Sequence, residues 1–132
     1  MTKLNTSDKI YIARSLIPSG GRGVFAQKNI KKGELIERCP TIEVPSSDVA
    51  NLVDSILITY FYYLGKNKDR VFITLGFGSI YNHTYTPNAV YKAILKEGII
   101  DFIATKYIKK DEEITVNYNT GNKKGENPLW FE

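Results

Sequence analysis

The chain has one cysteine and one histidine among its 132 residues. With Cys39 alone, neither an internal disulfide nor a zinc cluster built only from cysteines can form. One cysteine and His83 together also cannot supply the four ligands that a structural zinc site takes from these residue types. The sequence therefore predicts a protein that holds no metal.

Long apolar runs are missing as well. No run approaches the ~18 residues that a membrane-spanning helix needs. Residues 1–8 also lack the apolar segment of a secretory signal peptide. We therefore expect an intracellular protein without a membrane partner. The length suits one domain with one hydrophobic core.

Acidic residues are fewer than basic ones, 14 against 18, which gives a net charge of +4 and a pI near 9.1. Lysines occur in pairs at 31–32, 109–110 and 123–124, and another basic group lies at 66–70. Such pairs are typical of solvated turns, and they also fit a basic rim that attracts an acidic partner or nucleic acid. Because the charge is not concentrated in one segment, both interpretations stay open.

Most of the chain has the pattern of short β-strands. The predicted strands are residues 9–15, 35–39, 41–44, 89–95, 99–105 and 114–118. Pro40 separates two of them and marks a bend or an edge, because proline cannot donate to a β-ladder. The Lys-Glu-Gly sequence at 96–98 indicates a hairpin between its flanking strands. The pattern favours a mainly β fold.

One short helix is predicted near the middle of the chain. Ser46 or Ser47 can cap it, and apolar residues then recur at helical spacing as far as Leu57. Residues 58–64 are dense in β-branched and aromatic side chains, which favour a strand. We therefore end the helix near Leu57 and predict that 58–64 pairs with 71–75.

Two segments resemble each other, Phe-Ala-Gln-Lys-Asn-Ile-Lys-Lys-Gly-Glu-Leu-Ile at 25–36 and Ile-Ala-Thr-Lys-Tyr-Ile-Lys-Lys-Asp-Glu-Glu-Ile at 103–114. Each has the pattern of a strand end, a basic turn and a second strand. Gly33 and Asp111 occupy the turn position where a permissive backbone is wanted. Two copies are too few for a solenoid, so we expect two similar corners of one β fold.

Segment 76–89 combines turn-forming residues, polar side chains and His83. A catalytic histidine in a hydrolase needs a nucleophile, and Ser79 does not lie in a Gly-x-Ser-x-Gly elbow. His83 also lacks metal-ligand partners at a recognisable spacing. We therefore predict that it shapes its loop by hydrogen bonding. Three glycines in 20–23 let backbone N–H groups approach a ligand, although this loop is neither a Walker A nor a dinucleotide motif.

The chain has nine tyrosines, and sheet packing explains most of them. A slot lined by tyrosines would hold an extended alkyl amine, because the walls are apolar and the ring faces attract a cation. Tyr63 and Tyr118 are the candidates for such a slot.

Three motifs together resemble the SET domain of protein lysine methyltransferases. They are Gly-Arg-Gly-Val-Phe at 21–25, Gly-Phe-Gly-Ser-Ile-Tyr-Asn-His-Thr at 76–84 with Pro-Asn-Ala at 87–89, and Glu-Glu-Ile-Thr-Val-Asn-Tyr at 112–118. Their order and spacing match the family, and the compact size is similar to viral and bacterial stand-alone members. The resemblance covers about residues 9–131.

The resemblance implies a β-clip (SET) fold of small curved sheets with one short helix, in which the C-terminal segment threads under a loop as a pseudoknot. It implies one SET domain over 1–132, with a core at about 9–118 and a C-terminal lid at 119–132. Many members carry zinc clusters around this core, and this chain lacks their cysteines. The lid is therefore expected from 128–131, with Trp130 or Leu129 against the adenine of the cofactor.

The resemblance also implies an activity and a site. The activity is methyl transfer from S-adenosylmethionine to a lysine in an extended protein segment, such as a histone tail. The residues expected to be catalytic are Tyr118 and Tyr63. Those expected to bind the cofactor are Arg22, Gly23, Tyr63, Asn82, His83, Tyr118 and Trp130. Those expected along the substrate channel are Tyr63, Tyr81, Val116 and Tyr118.

Two alternatives stand beside this enzyme: a SET-fold binding module without activity, and a small basic β module for nucleic acid. The aromatic spacing of an RNA-binding strand is missing, so nucleic acid is not an expected partner. A homodimer that completes the substrate cleft stays open. The expected location is the cytoplasm, or the host nucleus for a viral protein. Val116, two residues before Tyr118, gives no indication of the number of methyl groups added.

Overall fold

The computed structural model describes residues 3–65 and 69–118. Within them the chain forms nine strands and one short helix. They are β1 (Ile10–Arg14), β2 (Arg22–Ala26), β3 (Leu35–Val44), α1 (Val49–Val53), β4 (Phe61–Leu64), β5 (Arg70–Thr74), β6 (Asn82–His83), β7 (Ala89–Ile94), β8 (Ile99–Ala104) and β9 (Glu113–Val116). The prediction of a mainly β fold is confirmed.

One sheet has the strand order β1-β2-β9-β6. Neighbouring strands in it are antiparallel, except that β6 and β9 run parallel. Strand β9, the last strand in the sequence, therefore lies between β2 and β6, which both precede it. This insertion is the part of the predicted pseudoknot that falls within the described residues.

The other sheet has the order β4-β5-β3-β8-β7. Its strand β3 is continuous through Pro40, so the prediction of two separate strands is corrected. Residues 35–40 pair with β8 and residues 41–44 pair with β5. Pro40 lies where the strand changes partner, and its carbonyl accepts a hydrogen bond from the Leu75 amide at 2.9 Å. Proline fits this position because its own nitrogen has no hydrogen to donate.

The predicted helix forms, but it ends at Val53 instead of near Leu57. Short 3-10 turns flank it at 46–48 and 56–59, and no serine side chain caps α1. Ser55 has extended backbone angles and caps the following turn by accepting from the Leu57 amide at 3.1 Å, which interrupts the helix. The predicted hairpin is confirmed for β4, which pairs antiparallel with β5, whereas residues 58 and 59 of the predicted strand belong to the 3-10 turn.

The two similar segments are corners that pair with each other. Ile30 and Ile108 exchange both backbone hydrogen bonds, each 2.8 Å long, and both side chains are fully buried. Gly33 and Asp111 have positive φ angles of 86° and 70° at the equivalent turn position. The prediction of two corners with permissive turn residues is confirmed, and the pairing relates them by an approximate two-fold axis.

A buried carboxylate ties the loop after β5 to the core. Glu37 accepts from the Tyr81 hydroxyl at 2.8 Å and from the Phe77 amide at 3.0 Å. The Tyr81 ring is fully buried and stacks on Phe102 at 4.2 Å. Burial raises the pKa of the neighbouring Cys39 thiol, and Glu37 raises it further. The thiol is therefore a packing group, while the Glu37 contacts hold the backbone of residues 77–81 in place.

Candidate functional site

Tyr118 follows directly after β9 and is held at three points. Its hydroxyl donates to the Tyr81 carbonyl at 2.5 Å, and its backbone N–H donates to Nδ1 of His83 at 3.0 Å. Its carbonyl accepts from the Tyr91 hydroxyl at 3.2 Å. Burial, followed by the charges of Tyr91 and Tyr60, raises the pKa of Tyr118 to about 12. At neutral pH the hydroxyl keeps its proton and directs it to Tyr81, and a phenolic oxygen is also able to accept a hydrogen bond.

His83 lies on β6, where it pairs with Val116 of the parallel strand β9. Because its Nδ1 accepts the Tyr118 amide hydrogen, that nitrogen carries no proton, and the ring is the neutral tautomer protonated at Nε2. The ring also lies edge-on to Tyr85 at 4.5 Å and tilted against Tyr118 at 5.1 Å. These contacts fit the predicted role of His83 in shaping the loop.

Asn82 lies beside the glycine-rich loop. Its side-chain nitrogen donates to the Arg22 carbonyl at 2.9 Å and to Oε2 of Glu113 at 3.0 Å. Both partners are acceptors, so they determine the orientation of the amide. The amide oxygen then points away from them and can accept from a ligand. The structure thus brings together Arg22, Gly23 and Asn82, which come from distant parts of the sequence.

Glu113 organises this half of the site, although sequence reasoning did not single it out. Its carboxylate is 8% exposed and accepts from the Ser15 hydroxyl, from the Leu16 amide at 2.9 Å and from Asn82. A Cβ atom at position 23 would overlap the same carboxylate, so Gly23 is required by close approach. In the sequence, Glu113 is marked only as the second glutamate of the Glu-Glu-Ile motif, which does not indicate its contacts.

Asn88 gives the Pro-Asn motif a structural role. Its side-chain nitrogen donates to the Glu113 carbonyl at 2.9 Å, and its oxygen accepts from the Thr115 amide at 2.9 Å. These two bonds attach the loop before β7 to β9. They hold in register the strand that leads to Tyr118.

Two further tyrosines surround Tyr118. The ring of Tyr62 lies 6.3 Å from that of Tyr118 and 4.9 Å from that of Tyr91. The Tyr62 hydroxyl donates to the Gly78 carbonyl at 2.7 Å. The rings of Tyr62 and Tyr91 therefore pack against each other next to Tyr118, and aromatic rings of this kind can pack against an alkyl chain.

Tyr63 lies on the opposite face of β4 from Tyr62. Its side chain is 49% exposed and its ring meets Phe61 edge-on at 5.3 Å. The structure therefore does not bring Tyr63 to Tyr118. Residues two apart in a strand share one face, so Tyr62 lies on the same face as the apolar Leu64, and both are buried. The position of Leu64 in the sequence could therefore have indicated that Tyr62, and not Tyr63, faces the core.

The remaining predicted residues divide into three groups. Val116 is fully buried in β9, and the Tyr81 side chain is in the core, so Tyr81 reaches the site through its carbonyl. Arg22 is exposed at the start of β2. Trp130 and the lid at 119–132 lie outside the described residues.

Within residues 3–65 and 69–118, no group of three or more His, Cys, Asp and Glu side chains could hold a metal ion. In the same residues, no helix is long and apolar enough to cross a membrane.

Comparisons with known proteins identify the family of this chain. The SET domain family model matches residues 21–119. A Schizosaccharomyces pombe histone-lysine N-methyltransferase specific for H3 lysine-37 is 29% identical over 113 residues, which are 85% of this chain and 71% of the relative.

Solved structures give the same result. A Plasmodium falciparum protein described as a candidate histone methyltransferase is 32% identical, with a TM-score of 0.67, and the match covers 98% of this chain and all of that one. Polycomb repressive complex 2 of Chaetomium thermophilum, at 19% identity and a TM-score of 0.73, matches 94% of this chain and 17% of its own and shows the fold alone. The chain belongs to the SET-domain family of protein lysine methyltransferases.

Proposed function

We propose that this protein transfers a methyl group from S-adenosylmethionine to a lysine of a histone, with Tyr118 at the transfer point. The observation that carries the proposal is the hydrogen bond from the Tyr118 hydroxyl to the Tyr81 carbonyl. This bond occupies the only proton of the hydroxyl and leaves its oxygen as an acceptor for a substrate N–H group.

The residues around Asn82 fit the methionine end of the cofactor. The Asn82 amide oxygen accepts from an ammonium group, because its nitrogen is already bonded to Arg22 and Glu113. Gly21 has a φ of 63° and open space around its Cα, so a ligand can approach the backbone closely. When bound, S-adenosylmethionine supplies the methyl group on a sulfonium centre, and the protein has to align the groups and exclude water.

The lysine must reach the site as a neutral amine, since its ordinary pKa is about 10.4. Packing its alkyl chain among Tyr62, Tyr91 and Tyr118 removes the amine from water, which lowers the pKa of a lysine. The Tyr118 oxygen accepts one amine hydrogen and so orients the lone pair. Tyr118 does not act as the base, because its pKa is raised to about 12 and its proton is already donated to Tyr81.

A histone is the proposed substrate because the Schizosaccharomyces pombe relative is a histone-lysine N-methyltransferase and the Plasmodium falciparum structure is described in similar terms. A histone tail is an extended segment, which suits a narrow site lined by rings. We accordingly propose that the protein acts where histones are present in the cell. The number of methyl groups transferred follows from the same assay that identifies the lysine.

The test incubates the full chain with labelled S-adenosylmethionine and core histones, followed by mass spectrometry of the labelled lysine. Tyr118→Phe removes the acceptor oxygen that orients the amine, and we expect turnover to fall by a factor of about 10². Cofactor binding measured by calorimetry should change little, because Asn82 and the glycine loop are untouched. Full turnover in Tyr118→Phe, or no labelling of any histone by the parent chain, would refute the proposal.

A further inference from the structure

The two paired corners bring lysines from distant parts of the chain onto one surface. We define the corner face as residues 28–32 and 106–110. These ten residues contain six lysines and no carboxylate. In the sequence the two groups are 73 residues apart, from 32 to 106 excluding the ends. Only the pairing of Ile30 with Ile108 places them side by side.

The geometry of that pair determines what faces solvent. Both isoleucine side chains are fully buried, and side chains alternate along extended chain, so their neighbours point outward. In an antiparallel pair, Asn29 then lies opposite Lys109, and Lys31 lies opposite Tyr107. The outer face therefore alternates lysine with a polar or aromatic side chain, and Tyr107 is 51% exposed.

The carboxylates that border the corner face point back to the fold. Glu34 accepts from the Lys31 backbone amide at 3.2 Å and pairs with Lys9 at 3.0 Å. In the equivalent place, Glu112 accepts from the Lys109 backbone amide at 3.2 Å. These two carboxylates are therefore bonded to backbone amides and, for Glu34, to Lys9, and neither forms an ion pair with a lysine of the corner face.

Asp111, the third neighbouring acid, accepts from the Tyr11 hydroxyl at 2.9 Å. Of the six lysines, Lys28 alone has an ion pair within residues 3–65 and 69–118, with the exposed Asp8 at 3.1 Å. The other five form no ion pair within the same described residues: Lys31, Lys32, Lys106, Lys109 and Lys110.

We propose that the corner face binds the phosphate backbone of duplex DNA without reading its sequence. Lysines act as point charges that neutralise phosphates, and contacts to phosphate carry no sequence information. An acidic peptide would need exposed apolar anchors for affinity. Ile30 and Ile108 are fully buried, and Tyr107 is the one large exposed apolar side chain among these ten residues, so a polyanion held by charge fits better than a peptide that needs several anchors.

The position of the face relative to the methyl-transfer site suits this partner. Strand β9 leads from the corner at Lys110 to Tyr118 over eight residues, so the two lie at most about 29 Å apart. Histones are wrapped by DNA, and a tail that reaches Tyr118 would bring that DNA near the corner face. DNA binding itself is independent of the proposed function, whereas its effect on turnover rests on it.

The first experiment measures binding to a short fluorescent duplex as salt is raised from about 50 to 200 mM. Five phosphate contacts predict a slope of about −4.5 in log K against log salt. The variant K31Q/K109Q/K110Q should reduce the slope to about −2, because two contacts remain. The matched variant K3Q/K92Q/K96Q changes the net charge equally at exposed positions outside the face and should keep the parent slope.

The charge-preserving variant K31R/K109R/K110R should bind like the parent, which separates loss of charge from misfolding. The proposal is overturned if the parent does not bind DNA, or if both glutamine variants lower the slope equally. It is also overturned if polyglutamate at equal charge competes as well as unlabelled DNA, since an acidic protein would then be the partner.

The second experiment compares turnover on nucleosomes with turnover on a free H3 tail peptide. Turnover of K31Q/K109Q/K110Q on nucleosomes should fall about tenfold, because phosphate contacts are lost. Its turnover on the peptide should equal that of the parent. Equal losses on both substrates would overturn the link to DNA. If the parent chain is inactive on both, the proposed function fails while the salt-dependent binding still tests the corner face.

Discussion

Two buried carboxylates, Glu37 and Glu113, have the same exposure of 8% but support different halves of the site. Glu113 holds the Asn82 amide and the loop at Ser15 and Leu16, which form the proposed cofactor cradle. Glu37 holds Tyr81, whose carbonyl receives the Tyr118 hydroxyl. Under the proposed function, cofactor binding and methyl transfer therefore depend on separate carboxylates, and this separation can be tested.

Of the substitutions that compare the two carboxylates, Glu113→Ala is expected to have the largest effect. The substitution leaves the Ser15 hydroxyl, the Leu16 amide and the Asn82 side chain without their buried acceptor, at a cost of about 3 kcal/mol in the free energy of unfolding. The Asn82 amide also loses its orientation, so the KM for S-adenosylmethionine should rise by more than tenfold. Chemical unfolding and initial-rate kinetics measure the two effects.

Glu113→Gln is the control for this prediction because it keeps the shape of the side chain. Its amide nitrogen can face the Asn82 donors only by losing one hydrogen bond, so an intermediate KM is expected. A KM for the cofactor that stays at the parent value in both variants would contradict the proposed role of Glu113.

A smaller effect is expected from Glu37→Gln. A glutamine oxygen can still accept from Tyr81, but the amide nitrogen cannot accept from Phe77, so one buried hydrogen bond is lost at about 1 kcal/mol. The Tyr81 carbonyl should shift slightly relative to Tyr118. We expect kcat to fall severalfold while the KM for S-adenosylmethionine stays constant. A rise in that KM instead would show that the two halves are not separable.

A pH titration tests the protonation state of the Tyr118 hydroxyl. The folded pKa of about 12 lies above the ordinary tyrosine value of 10.0. The contribution of the Tyr118 hydroxyl to the free energy of unfolding is therefore complete below about pH 10 and is lost as the pH rises towards the folded pKa. The rate should rise with pH up to about 10 as the substrate lysine loses its proton, with no fall caused by Tyr118. The difference in absorbance at tyrosinate wavelengths between the parent and Tyr118→Phe locates this ionisation, and a transition below pH 10 would contradict it.

The smallest effects compare two neighbours on β4. Tyr62→Phe loses the hydrogen bond to the Gly78 carbonyl, which costs about 1 kcal/mol of stability, and should reduce kcat moderately because the ring remains. Tyr63→Phe should change neither quantity, because Tyr63 is half exposed and lies on the opposite face. Rates and melting temperatures of the two variants test the prediction that Tyr63 is the channel tyrosine. A larger fall in kcat for Tyr63→Phe than for Tyr62→Phe would support Tyr63 in that role.

The sequence carried most of the strand pattern because alternation, turn residues and β-propensity are local properties. The hairpin of β7 and β8, the hairpin of β4 and β5 and the two corners were all predictable in this way. Pro40 was interpreted as a break because its effect depends on which strand lies beside it. The helix end was misplaced because the Ser55 cap competes with helical spacing over the following residues.

Sequence by itself determined the family motifs, the turn positions at Gly33 and Asp111, and the pair formed by Asn82 and His83, since each depends on residue types at short spacing. The features that depend on contacts between distant segments were decided only by the tertiary structure. The parallel pairing of β6 with β9 brings His83 to the Tyr118 backbone across 35 residues, and Glu113 reaches Ser15 across 98. The alternation along β4 places the Tyr62 ring near Tyr118 and Tyr63 on the exposed face, and the Ile30–Ile108 pair brings lysines from distant segments onto one face. These outcomes depend on contacts between distant segments, which no local pattern encodes.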